Sequence, residues 1–146
     1  MLLTVFLQFM GRILAIDFGE KRCGIAITDA LKLIASGLTT VGTKELLPFL
    51  KDYMQSENVE LIIIGLPRQL NNELSESEAF IQLFLTEFSE SFPNMPVKRV
   101  DERYTSKMAV QTMIDSGISK KRRRNKALID EISATIILQS YLYALK

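Results

Sequence analysis

The 146-residue sequence contains no histidine and no tryptophan, and it has a single cysteine, Cys23. Without histidine there is no imidazole to act as a general acid, a general base or a metal ligand. This excludes Ser-His-Asp hydrolases and HExxH metalloproteases. One cysteine forms no intramolecular disulfide, and without histidine it forms no Cys/His zinc site. Hydrolytic chemistry would therefore need carboxylates, lysines or a metal ion held by oxygen ligands.

Long apolar runs are also missing, because no stretch reaches the roughly 18 residues of a membrane span. The first ten residues, MLLTVFLQFM, are apolar, but they lack the basic start and the small-residue cleavage site of a secretory signal. We expect residues 1–9 to be a disordered or upstream-start extension and residues 10–146 to form one domain. With its lone cysteine, the chain is expected to be cytoplasmic and to have no membrane partner.

The order of apolar patterns predicts an α/β fold. A glycine-containing turn joins the first two apolar runs, which is typical of a hairpin. The β-branched run VELIIIGLP indicates a parallel strand that is buried on both faces. We predict a mixed five-stranded sheet with helices on both faces. The predicted strands are 12–17, 23–28, 35–42, 59–67 and 95–101, and the predicted helices are 44–58, 75–92, 106–115 and 127–144.

Charge is distributed unevenly, although the net charge is only +1. Residues 44–91 carry three basic and nine acidic residues, whereas residues 97–126 carry ten basic and three acidic ones. The basic part is densest in KKRRRNK, residues 120–126, which we expect to be a loop. Such asymmetry favours a polyanionic partner on one side of the molecule, and a solvated loop is the alternative.

Asp17 ends the first predicted strand. Strand alternation puts its side chain on the same face as Ile13 and Ala15, and the nearby Gly19 allows a ligand to approach. Ligand sites of open α/β sheets gather beyond the carboxyl ends of parallel strands. Asp17 is therefore a candidate site residue, and the alternative is an aspartate that stabilises the hairpin turn.

Two further acidic residues, Asp101 and Glu102, end the last predicted strand. Neighbouring side chains of a strand point to opposite faces, so only one of the two is expected to face a given site. We favour Glu102 because its side chain is longer. The alternative is a surface ion pair with Arg99 or Arg103.

Asp130 lies on the last predicted helix, in one stripe with Ala134, Ile137 and Tyr141. A carboxylate directed towards the core needs a partner. If Asp130 lies beside Asp17, the two charges repel unless a cation bridges them, and Mg²⁺ suits such oxygen ligands. The alternative is a carboxylate that only stabilises the positive end of the helix dipole.

Four segments together resemble one family: RILAIDFGEKRCGIAITD, IIIGLP, DERYTS and KALIDEISATIILQSYL. They are similar, in order and spacing, to the motifs of the YqgF (RuvX) family of Holliday-junction resolvases, which is associated with maturing the ends of pre-16S rRNA. The resemblance covers residues 10–142 and implies a ribonuclease-H-like fold and a metal-dependent endonuclease. It implies that Asp17, Glu102 and Asp130 hold Mg²⁺ or Mn²⁺, with Asp101 as a further catalytic candidate.

The chain departs from the family pattern at two places. Asn72 stands where a glycine following an acidic residue is expected. One turn after Asp130 the chain has Ser133 and Ala134, where related resolvases carry an additional carboxylate on the last helix. These differences predict a metal site with fewer ligands and a loop that binds its ligand differently.

Phosphate contacts are expected from two groups of cations. The substrate would be an rRNA precursor or branched DNA, with ribosomal particles as further partners. The first alternative is a non-catalytic RNA-binding ribosome-assembly factor on the same fold. The second alternative is a phosphotransferase of the actin and sugar-kinase type. Such proteins need two domains of this kind, whereas one domain is predicted here. The predicted contact residues are Lys21, Arg22 and Arg103 near the acidic cluster, and Lys120, Lys121, Arg122, Arg123, Arg124 and Lys126 in the basic segment.

Overall fold

The computed structural model describes residues 11–67, 76–101 and 105–145. The predicted extension at residues 1–9, and the residues Asn72, Glu102 and Arg103, lie outside these ranges. A short 3-10 turn, Thr43–Glu45, precedes the first helix. The elements are β1 (Arg12–Phe18), β2 (Arg22–Thr28), β3 (Ala35–Gly42), α1 (Leu46–Ser56), β4 (Val59–Leu66), α2 (Ser77–Ser91), β5 (Val97–Asp101), α3 (Thr105–Asp115), α4 (Lys120–Arg123) and α5 (Lys126–Ala144).

The strands form one mixed five-stranded sheet in the order β3-β2-β1-β4-β5. β1, β2 and β3 pair antiparallel, whereas β4 is parallel to both β1 and β5. Ile16 pairs with Ile64, and Leu66 pairs with Asp101. The carboxyl ends of β1, β4 and β5 therefore meet at one edge of the sheet. This confirms the predicted fold class.

Helices cover both faces of the sheet, as predicted. The alternating side chains of β1 show the two layers, because Leu14 and Ile16 pack with α1 and α2 while Ile13 and Ala15 pack with α5. β4 is buried along nearly its whole length, as expected of a strand covered on both sides. The predicted stripe of α5 also packs on the sheet, with Ala134 and Ile137 buried and Tyr141 at the margin.

α5 lies unusually close to β2, and Gly24 permits this approach. A Cβ atom at Gly24 would collide with the backbone carbonyl of Asp130. The start of the helix is fixed nearby, because Asn125 caps it by accepting a hydrogen bond from the Leu128 amide at 3.2 Å. Thr40 of β3 also donates to the Ala127 carbonyl at 2.6 Å. These contacts fix the first turns of α5 above β2 and β3.

Arg99 of β5 joins three elements on the opposite face. Its guanidinium donates to both carboxylate oxygens of Glu78 in α2, at 2.7 and 2.8 Å. It also donates to the carbonyls of Ile64 and Gly65 at the end of β4, at 3.2 and 2.8 Å. These hydrogen bonds from Arg99 hold the pKa of the buried Glu78 carboxyl below its ordinary value. Arg99 therefore fixes the carboxyl ends of β4 and β5 against α2.

The basic segment is only partly a loop, so the prediction of a loop over residues 120–126 was wrong for its first half. Four of its cations form the short helix α4, which Ser119 caps by accepting from the Arg122 amide at 3.3 Å. Asn125 then caps α5. The two capping side chains, Ser119 and Asn125, therefore start two helices within this run of like charges.

None of the described helices combines the length and the apolar character needed to cross a membrane.

We expect Glu78→Gln to lower the free energy of unfolding by about 2 kcal/mol at pH 7, because a charged hydrogen-bond partner of Arg99 is lost. Since Arg99 lowers the pKa of Glu78 in the folded protein, this stabilisation is complete above the unfolded value of about 4.3. It disappears as the pH falls through the lower folded pKa. Urea unfolding at pH 7 and at a series of acidic pH values measures the difference. A difference that is equal at pH 7 and pH 3 would contradict the assigned role of the carboxylate.

We expect Gly24→Ala to destabilise the protein by about 2 to 3 kcal/mol, because the new methyl group displaces the backbone of α5. The matched control is Gly42→Ala in β3, whose added Cβ would meet the carboxylate end of the exposed Glu45. That flexible side chain can move aside at little cost. Thermal unfolding of both variants tests the contact, and equal stabilities would rule out close packing at Gly24.

Candidate active site

Asp17 and Asp130 lie on the same side of the sheet. Asp17 follows Ile13 and Ala15 in strand alternation, so it faces the layer that contains α5. In the neighbouring strand it pairs with Gly24. The backbone of Asp130 rests on this same Gly24. The fold thus brings the carboxyl end of β1 and the second turn of α5 to the same position above β2.

Cys23, the neighbour of Gly24 in β2, has a buried thiol. Burial raises its pKa most, and the negative charges of Asp17 and Asp130 raise it further. A hydrogen bond with the Thr43 hydroxyl acts in the opposite direction. Both carboxylates are therefore within electrostatic reach of one side chain. Cys23 itself belongs to the apolar cluster on the other face, and its raised pKa disfavours the nucleophilic thiolate.

Asp130 is paired with Arg22, the first residue of β2. Arg22 Nε lies 2.5 Å from Asp130 Oδ2. Both atoms are buried, and their relative orientation is not that of a hydrogen bond; neither has a hydrogen-bond partner within the described part of the chain. Burial raises the pKa of Asp130, while the positive charges of Arg22 and Lys126 lower it. Asp130 is therefore a desolvated carboxylate whose negative charge is only partly compensated.

Ser133 lies one turn after Asp130 and is completely buried. Its Oγ also has no hydrogen-bond partner in the residues described by the structure. Together with Arg22 Nε and Asp130 Oδ2, it completes the set of buried, unsatisfied side-chain atoms in those residues. Buried polar atoms without partners are costly in a folded protein. Two of the three lie on one side of α5 and the third touches Asp130, so this region is suited to a polar ligand.

Asp101 faces the other way. In β5, Val100 packs with the α5 layer, whereas Val97 and Arg99 contact the opposite layer. Asp101 ends the strand, is exposed and shares the face of Arg99 by alternation. The structure therefore does not bring Asp101 together with Asp17 and Asp130. Its neighbour Glu102, the favoured ligand of the pair, lies outside the described residues.

The described carboxylates partly match the donor set that a divalent cation needs. No group of three His, Cys, Asp or Glu side chains suitable for a metal occurs within residues 11–67, 76–101 and 105–145. Asp17 and Asp130 nevertheless supply oxygen ligands of the kind that Mg²⁺ prefers. The buried Asp130 Oδ2, with no hydrogen bond, is the kind of atom that a cation would satisfy. These two residues fit a metal site that requires one further ligand.

The predicted phosphate-binding cations surround this position unevenly. Lys21 is exposed in the turn before β2, whereas Arg22 is half-buried against Asp130. In α4, Arg123 is half-buried and donates to the Ile118 carbonyl at 3.2 Å. The predicted Arg103 lies outside the described residues. The remaining cations of the basic segment are exposed in α4, after it or at the start of α5, and they are Lys120, Lys121, Arg122, Arg124 and Lys126.

Sequence reasoning missed two features of this site. It assigned Arg22 to phosphate binding without its ion pair to Asp130, and it noted Ser133 only as a missing carboxylate. One signal was present for the first: Gly24 is a glycine inside an apolar strand, which marks a close backbone approach. A helix packed on that glycine places its side chains next to Arg22, two residues earlier on the same face.

Comparisons with known proteins identify relatives of this chain. The sequence model of the RuvX family, described as Holliday junction resolvase, matches residues 11–144. A Christiangramia forsetii protein named "Putative pre-16S rRNA nuclease" is 62% identical over 134 residues, which cover 92% of this chain and 99% of that protein. A Bacteroides fragilis protein of the same name is 58% identical over 133 residues, covering 91% and 96%.

A solved structure shows the same fold at much lower similarity. The T. thermophilus RuvC structure, in complex with a Holliday junction substrate, has a TM-score of 0.50 and 16% sequence identity, covering 92% of this chain and 95% of RuvC. At this identity the likeness concerns the fold alone. The match to the family model over nearly all described elements, and identities near 60%, show that the chain belongs to the RuvX family.

Proposed function

We propose that this protein is a metal-dependent endonuclease that hydrolyses phosphodiester bonds in structured nucleic acid. The observation that carries the proposal is the meeting of Asp17 and the desolvated Asp130 on one face of the sheet, above Gly24. Two carboxylates are held there at the carboxyl edge of a parallel strand pair, next to exposed cations. A site without histidine that combines these groups suits phosphoryl chemistry.

Asp17 and Asp130 are proposed to bind Mg²⁺ or Mn²⁺, with Glu102 as the third ligand. Asp101 shares the face of Arg99, so we propose Glu102 as the ligand of the pair. A divalent cation bound there would polarise the phosphodiester and make a bound water more acidic. Asp17 and Asp130 keep their carboxylates in place because β1 pairing and the packing of α5 fix both backbones.

Exposed cations near the start of α5 are proposed to bind the nucleic acid backbone. α4 precedes the turn that carries Asp130, and the charge of Lys126 acts on that carboxylate. A phosphate chain bound along α4 would therefore pass close to the acidic cluster. Contacts of this kind fix the position of the substrate without reading its sequence.

The proposed substrate is the 5′ end of pre-16S rRNA during ribosome biogenesis, with branched DNA as the second choice. The names of the relatives support the first, and the description of the family supports the second. Ribosomal particles are proposed partners for the first role, and a cytoplasmic location follows from it. The protein would then act where rRNA precursors are assembled.

A non-catalytic RNA-binding assembly factor is the competing function. It is favoured by Ser133, which stands where related resolvases carry an additional carboxylate, and by the two-carboxylate set in the described chain. Metal-dependent cleavage of pre-16S rRNA fragments or of branched DNA by the purified protein separates the two functions. Binding to these substrates without cleavage at any Mg²⁺ or Mn²⁺ concentration would favour the assembly factor.

We expect Asp17→Asn, Glu102→Gln and Asp130→Asn each to reduce the cleavage rate by more than about 100-fold, because changes outside the ligand shell already cost about 10- to 100-fold. Asp101→Asn is the matched control, since it removes the same charge from the face of Arg99. Single-turnover cleavage with saturating protein measures all four variants, and circular dichroism checks their folding. A folded Asp17→Asn variant with the wild-type rate would contradict the proposed site.

We expect Arg122→Ala/Arg124→Ala to weaken binding to many nucleic acids alike. Each lost phosphate contact lowers the slope of log affinity against log salt by about 0.7 to 0.9, so the double variant should lose about 1.4 to 1.8. Arg123 is left unchanged because it donates to the Ile118 carbonyl. Lys51→Glu on α1 changes the net charge by the same amount on the opposite layer. Fluorescence anisotropy at several salt concentrations measures the slopes, and equal slopes in both variants would exclude phosphate contacts at α4.

A further inference from the structure

Arg22 Nε lies against Asp130 Oδ2, an oxygen of the proposed cation site. We propose that Arg22 is a displaceable counter-ion, which neutralises Asp130 in the metal-free protein and moves to a substrate phosphate when a divalent cation binds this carboxylate. The inference rests on the proposed function, because it requires a cation site at Asp130.

The geometry of the Arg22–Asp130 contact is that of a counter-ion and not of a structural ion pair with two hydrogen bonds. A guanidinium that holds a carboxylate structurally makes two parallel hydrogen bonds, as Arg99 does with Glu78. Arg22 meets Asp130 through Nε and Oδ2, at 2.5 Å, and these two atoms are not aligned for a hydrogen bond. The contact supplies positive charge to a half-buried carboxylate, but it leaves both polar atoms poorly satisfied.

Arg22 can leave this position. Its side chain is 34% exposed, whereas the Asp130 side chain is 21% exposed. The residue begins β2, directly after the turn that carries the exposed Lys21. A long side chain at this position can turn to solvent while the backbone of Asp130 stays packed on Gly24. The same movement would bring the guanidinium to a phosphate that binds beside Lys21.

This arrangement predicts that Arg22 weakens cation binding to the free protein, because the cation must first displace a like charge. Calorimetric titration with Mg²⁺ and Mn²⁺ alone tests this on the full chain. We expect Arg22→Gln to bind the cation about tenfold more tightly than the wild type, the effect of removing one like charge within a few ångströms. Arg22→Lys, which keeps the charge, should remain close to the wild type.

Lys21→Gln is the matched control, because it removes the same charge one residue earlier from an exposed side chain; its cation affinity should stay near that of the wild type. Thermal unfolding provides a second measurement. Arg22→Gln should be less stable than Lys21→Gln in EDTA, where Asp130 has lost its counter-ion, and the difference should shrink with saturating Mg²⁺. Arg22→Met provides the same test if the glutamine variant does not fold.

Weaker cation binding by the uncharged variants would overturn the proposal and assign Arg22 to orienting Asp130. Unchanged binding would also overturn it and leave a purely structural ion pair. Both results differ from failure of the proposed function, in which the wild-type protein itself binds no cation and cleaves no substrate. Tighter binding by Arg22→Gln, with wild-type affinity in Lys21→Gln, would support the counter-ion role.

Discussion

The contact between the backbone of Asp130 and Gly24 is the constraint on which the site depends. A helix normally keeps its distance from a sheet because side chains on both surfaces separate the two backbones. Here the missing Cβ at Gly24 lets α5 descend onto β2. Since Gly24 pairs with Asp17, this descent brings the backbone of Asp130 over the strand pair that carries Asp17. Packing, not a local motif, brings these two residues to one face of the sheet.

The close packing has an electrostatic consequence. It desolvates Asp130, raises its pKa and requires positive charge nearby, which Arg22 and Lys126 partly supply. Ser133 is also buried there, and its hydroxyl has no hydrogen-bond partner among the described residues. A natural protein tolerates such unsatisfied groups where function needs them. The Arg99–Glu78 pair on the other face is fully hydrogen-bonded in contrast, and it holds together the strand ends that frame the site.

The two helical layers of the molecule differ in charge. The segment that contains α1 and α2 is acidic, whereas the segment that runs from β5 through α4 is basic. Because α1 and α2 lie on one face and α5 on the other, a polyanion is attracted to one layer and repelled by the other. Asp17 faces the α5 layer, and the cations of α4 directly precede α5 in the chain.

Apart from α4, the strands, the helices and their layers were determined by the sequence, because the period of apolar residues and the turn residues between them are local properties. The stripe of α5 that faces the sheet and the position of Asp17 at the end of β1 also follow from these local properties. Only the tertiary structure decided that Arg22 pairs with Asp130, that Arg99 pairs with Glu78 and that α5 packs on Gly24. These partners are 21 or more residues apart. Their meeting depends on how closely helices approach the sheet, and that distance is set by the packing of the whole chain.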